Sequence, residues 1–131
     1  YGGGRMRPHA SHRKGVDVDL GYFRATHAQV PYFFFHTNRK TVDAPRTWML
    51  VEELLRTERV EYIFMARDIQ RALYKQARKL GYSKRKLSRI FQYPRNSWKR
   101  TGIIRWSKGH DTHFHVRFYP EGVRSTSPIS R

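Results

Sequence analysis

The sequence predicts an α+β domain with a mainly antiparallel central sheet flanked by helices, and three observations carry that expectation. Two segments at opposite ends of the chain, VDVDLG and HFHVRFY, alternate apolar and polar residues with the period of a half-buried strand. Between them lie segments whose apolar residues recur at helical spacing. Strands and helices mix without a strict βαβ rhythm, which argues against a parallel doubly wound sheet. The 131 residues are 38% hydrophobic and 15% aromatic, a composition that folds as one domain, 1–131, rather than staying disordered.

Each element has its own signal. Residues 1–8, with Gly2, Gly3 and Gly4, read as a flexible lead. In 15–21, Val16, Val18 and Leu20 fall on one strand face and Asp17 and Asp19 on the other. The run VPYFFFH at 30–36 suits a buried strand or a packed loop. Asp43 is placed to cap a helix that has Pro45 in its first turn and the stripe Trp48, Val51, Leu54 and Leu55, ending near Glu58. A short strand follows at 60–66. A second helix, capped by Asp68 and stopped by Gly81, turns Ile69, Leu73, Ala77 and Leu80 inward and Arg71, Lys75, Arg78 and Lys79 outward. Leu87, Ile90 and Phe91 anchor a short helix before Pro94, and a basic loop completes this stretch. Residues 102–106 and 113–119 read as paired strands joined by a turn at 107–112, and 121–131 as a frayed tail.

Totals exclude several functions. Without cysteine there are no disulfides, thiol nucleophiles or thiolate metal sites, so any metal must use His, Asp or Glu. No stretch approaches the roughly 20 apolar residues of a membrane span. The formal charge is +17, and residues 66–108 hold 14 basic side chains against one acidic, Asp68. Such a field favours an anionic partner, either nucleic acid, acidic lipid or an anionic cell-wall polymer; a merely solvated helix face is the plain alternative.

The polar faces of the two terminal strands carry the chemistry. Phe114, Val116 and Phe118 belong to the core, which turns His113, His115 and Arg117 to the open side. Asp17 and Asp19 occupy the same position on the first strand. If the strands are neighbours, imidazoles and carboxylates meet. His12 precedes Asp19 by seven residues, across a turn that Gly15 eases, and His12, Asp19 and His115 supply the three protein ligands of a catalytic zinc. Either motif alone is weak, since a lone HxH on a strand is most often a surface coincidence.

HASH at 9–12 running into GVDVDLG, with GHDTHFHVRF at 109–118, resembles the penicillin-insensitive murein endopeptidases. These are zinc peptidases related to the D-Ala-D-Ala carboxypeptidases and dipeptidases and to lysostaphin-type enzymes. His12, Gly15, Asp19, His113 and His115 fill the HxxGxxxD…HxH part of the group's SxHxxGxxxD…HxH pattern, with Ser11 directly before His12 and Ala10 at the serine's place, and the similarity spans roughly residues 5–120. The resemblance implies a zinc site on the open face of the sheet with His12, Asp19 and His115 as ligands. It makes His113 the active-site histidine beside the metal and His110 a candidate to activate water, with His9 near the site. Thr112 stands where the carboxypeptidase relatives carry a glutamate base, which favours the endopeptidase branch and leaves the base open between His110 and His113.

Asp17 is expected to support a ligand histidine, Arg117 to hold a substrate carboxylate, and Trp106 to wall the cleft. Each has an ordinary surface or packing role as its alternative. The implied substrate is peptidoglycan peptide, cut at D-alanyl to diamino-acid bonds, in a periplasmic or secreted protein whose export signal is not in this chain. Carboxypeptidase or L,D-type endopeptidase activity on the same scaffold is one alternative. A nucleic-acid-binding module using Tyr74, Tyr82, Phe91, Tyr93 and Trp98 is another, disfavoured because it leaves the His and Asp spacings unexplained.

Overall fold

A computed structural model of the protein describes residues 15–24, 36–125 and 129. In chain order the elements are β1 (Val16–Gly21), α1 (Ala44–Arg56), β2 (Val60–Phe64), α2 (Arg67–Lys79), α3 (Lys84–Ile90), β3 (Ile104–Arg105) and β4 (His113–Phe118). The sheet runs β1-β4-β2-β3. Both of β4's pairings are antiparallel, whereas β2 and β3 are parallel, so the α+β class holds with a mixed sheet.

One sheet face and the three helices enclose the core. Ile63, Ile104, Phe114 and Val116 from the strands meet Trp48, Val51 and Leu55 of α1, Ile69, Leu73 and Ala77 of α2, and Leu87 and Ile90 of α3. Trp48 lies at its centre, stacked on Phe91 with ring centroids 5.6 Å apart and edge-on to Tyr82 at 5.4 Å. Such offset and edge-to-face contacts add to the burial of the rings themselves.

The helix ends follow local chemistry. Asp43 Oδ1 accepts from the Arg46 backbone N–H at 3.0 Å, the expected cap, and Pro45 lies in the first turn. The expected cap of α2 is corrected. Its N-cap is Ala66, with no side-chain cap bond, and Asp68 sits inside the first turn. There its carboxylate accepts from the backbone N–H and guanidinium of Arg39, at 2.7 and 3.2 Å. Gly81 does end α2. At φ +97° it lets its own N–H reach Arg78 O while Tyr82 N–H returns to Ala77 O, the paired bonds of a Schellman motif.

Glu58, just past α1, has φ +60° without being glycine. An L side chain there costs roughly 1–2 kcal/mol. After allowing for glycine's greater chain entropy, Glu58→Gly is expected to stabilise the fold by about 0.5 kcal/mol, read as a raised urea midpoint. An unchanged or lowered midpoint would contradict that backbone assignment.

Two further differences affect the site. The segment 102–106 and the segment 113–119 do not form a hairpin, because β2 lies between β3 and β4. Residues 107–112 therefore cross over β2's end rather than make a tight turn. In the 121–131 stretch expected to fray, Ser125 donates to Glu58 O at 2.9 Å and Ile129 is buried against the core. The 30–36 run, except His36, falls outside the described residues, as does the 1–8 lead.

Candidate functional site

The open face of the sheet is built by the register of β1 on β4. Asp17 lies opposite Arg117, Asp19 opposite His115, and Gly21 opposite His113. Because strand side chains alternate, the same register that buries Val18, Phe114 and Val116 sends these polar residues to the other side. The two segments singled out in the sequence are thus adjacent strands, and the contacts between them are direct.

His115 is the hub. Its Nδ1 lies 2.8 Å from Asp19 Oδ1 and its Nε2 lies 2.9 Å from Asp17 Oδ1. The other oxygen of Asp17 accepts from Arg117 Nη1 at 3.0 Å, and Arg117 Nε approaches Glu61 at 3.8 Å. The guanidinium expected to face a substrate carboxylate is therefore engaged with carboxylates of the chain itself. His113 Nε2 is 3.8 Å from Asp19 Oδ1, while its Nδ1 meets Thr112 Oγ1 at 2.9 Å. Thr112, noticed in the sequence only for not being glutamate, fixes the plane of that ring.

His110 approaches from the crossover. Its ring centroid is 5.2 Å from that of His113 and 6.3 Å from that of His115. Its Nδ1 lies 2.9 Å from Ser107 O. A carbonyl only accepts, so Nδ1 carries the hydrogen and Nε2 of the neutral ring is left as the acceptor. The position of His110 is set from beneath by Tyr22, whose hydroxyl donates to His110 O at 2.6 Å and accepts from Ala66 N–H at 3.2 Å. Burial pushes the Tyr22 hydroxyl pKa up, which keeps it a donor.

Phe64 forms the wall on the β2 side, with its ring 5.8 Å from His110 and 6.1 Å from His115. Arg100, from the basic loop, has its guanidinium over this ring, 5.7 Å from its centre. Period-two reading of VEYIFMA would have assigned Tyr62 and Phe64 to the open face opposite Ile63. Trp106 is 38% exposed, and its backbone N–H is tied to the buried Gln92 at 2.8 Å. Among the described residues no ring contact joins Trp106 to the histidines. Asp111 is not a partner of His110: its carboxylate meets His36 Nδ1 at 2.7 Å, and that hydrogen bond holds it below the usual carboxylate range.

His9 and His12 lie outside the described residues. Among the described residues, no group of three or more His, Asp or Glu side chains is arranged to hold a metal ion. The donor types brought together, the carboxylates of Asp17 and Asp19 and the neighbouring imidazoles, are those zinc accepts in a cysteine-free site. Asp19 and His115 now touch each other, so an ion shared by them requires one of the two side chains to turn.

Partial burial lowers the His113 pKa, and the repulsion of His110 and His115 adds to that, against the pull of Asp19. A histidine depressed in the fold binds its proton more readily when unfolded. Its contribution to stability is therefore complete above about pH 6.5 and is lost as the pH falls through the interval below. Urea midpoints at pH 7.5 and 5.5 should differ less in His113→Asn than in the parent chain. An equal difference would mean that His113 does not titrate with folding.

No protein-family model, no curated protein and no solved structure matches this chain.

Proposed function

We propose that the chain is a zinc-dependent murein endopeptidase that hydrolyses the peptide cross-links of peptidoglycan, most simply D-alanyl to diamino-acid bonds. One observation carries the reading: strand pairing sets Asp19 against His115 at 2.8 Å, with His113 and His110 alongside. The motif resemblance supplies the third ligand, so that His12, Asp19 and His115 would hold the ion. Bound zinc lowers the pKa of its water from about 15.7 to about 7 and polarises a carbonyl oxygen.

The chain's own groups do the remaining work. Asp17 accepts from the His115 ring and is itself steadied by Arg117, which restrains the ring's orientation. His110 presents Nε2 as a proton acceptor, because Ser107 O occupies its other nitrogen. His113, held at Nδ1 by Thr112, presents Nε2 to the open face, where it can donate to a developing oxyanion or to the leaving amine. Phe64 borders the same patch, with Arg100 over its ring. Such a protein acts outside the cytoplasm, in the periplasm or secreted.

The nucleic-acid reading is weaker on a specific ground. Phe91 and Tyr93 each pack edge-on against Tyr74, and Tyr82 packs on Trp48, leaving Trp98 as the exposed ring of that set. Digestion of purified murein, followed by mass spectrometry of the released peptides, tests the proposal. Cross-linked dimers should be converted to monomers, and a chelator should stop the conversion. Intact dimers after incubation with zinc-loaded protein would refute it.

A further inference from the structure

A second feature lies away from the histidine patch. Along α2, Arg71, Lys75 and Lys79 recur every four residues and so share one helix face. Across from them stand Arg39 and Lys40 of the 38–41 turn. With Ala44, Ala72 and Gln76 these five cations line a groove of about 270 Å³. No acidic residue lines it. Asp68, one turn before Arg71 on α2, is occupied by two bonds from Arg39. Among the described residues Lys40, Arg71, Lys75 and Lys79 have no ion pair, and Arg71 Nε is buried without a hydrogen-bond partner.

Like charges at this helical spacing repel, and a buried guanidinium N–H without an acceptor is costly. Both costs fall when an anion enters the groove. The spacing indicates what kind. Each four-residue step advances about 6 Å along a helix, so the three α2 cations span about 12 Å, further than one small anion bridges. A chain with repeating anionic groups pairs with all of them. The lining contains no aromatic ring on which a base could stack. Arginine's fork and the point charges of lysine both suit phosphate oxygens.

We infer that this groove binds a linear phosphodiester polymer without nucleobases, of the poly(polyol phosphate) type. It does so independently of whether the histidine patch holds zinc.

Binding of poly(glycerol phosphate) to the full chain, measured by calorimetry between 50 and 200 mM salt, tests this. Lys75→Gln combined with Lys79→Gln should weaken binding at least about fivefold and reduce the slope of log affinity against log salt by about 2. Lys84→Gln combined with Arg85→Gln, an equal change of charge on α3 outside the groove, should leave affinity within about twofold, the range expected of screened surface charges. The melting temperature of the free Lys75/Lys79 variant should not fall, since repulsion has been relieved. Equal losses in the two variants would reduce the effect to net charge and overturn the groove. A single-stranded oligonucleotide of matched charge binding as tightly would overturn the base-free assignment. Inorganic phosphate competing equally per phosphate would overturn the polymer.

Discussion

His115→Ala is expected to lose zinc and abolish murein hydrolysis, whereas His113→Ala should retain the metal and lose turnover by about 10²–10⁴-fold. The two histidines are one strand period apart, yet their surroundings differ. His115 is the ring in contact with both aspartates, so its removal leaves Asp17 and Asp19 facing each other without the imidazole between them. His113 touches Asp19 only at 3.8 Å and is anchored instead by its neighbour Thr112. Elemental analysis of the two purified variants beside the parent separates the roles. Metal lost from His113→Ala and kept in His115→Ala would interchange them. Zinc absent from the parent chain would remove the metal reading altogether. Asp17→Asn provides an intermediate case, with about 10–100-fold weaker zinc binding if its contact with His115 matters as a supporting interaction does.

Gly15→Ala is expected to cost at least about 2 kcal/mol and to take activity with it. Gly15 has φ +82°, and a Cβ there would lie 2.2 Å from Phe118 O. That oxygen belongs to the backbone of β4, so nothing flexible can yield, and β1 must withdraw from its partner. Asp17 and Asp19 move with it. In a domain whose whole stability is typically 5–15 kcal/mol, this change is large. Urea unfolding measures the first effect, and metal content of the still-folded fraction measures the second. A variant as stable as the parent would show that β1 leaves Gly15 by another path.

The fold and the site were legible in the sequence to different degrees. Period-two alternation placed both site strands, since a one-residue slip would have exposed Phe114 and Val116 and buried His115. The helical stripes were nearly as clear, because Trp48, Val51, Leu73 and Ala77 all proved to be core, but Leu80, expected inward, is the C-cap of α2 and 57% exposed. Alternation does not name a strand's neighbour, however. The insertion of β2 between β3 and β4 depends on packing across the whole chain, so the expected hairpin was wrong. Asp68 resembled a cap because its local sequence fits one, while its partner Arg39 lies 29 residues away. Tyr22, Thr112 and Phe64 gave no motif signal. Their roles come from which surfaces face one another, as when Tyr22 bridges the crossover at His110 to the end of β2 at Ala66.

The β1–β4 pairing has a consequence for how the protein is made. Asp17 and Arg117, joined by a hydrogen bond, are 100 positions apart. Closing a loop of that length is entropically slow to repay, and such contacts delay folding. During synthesis β1 emerges before the other described elements, and β4, the strand it pairs with among the described residues, emerges after them. The first strand must therefore wait, its backbone groups hydrated, while the helices and β2 can already associate. Nascent chains and fragments ending before residue 113 contain both aspartates but not the histidines that face them. The histidine–aspartate patch thus comes into being only once β4 has been made and has docked against β1.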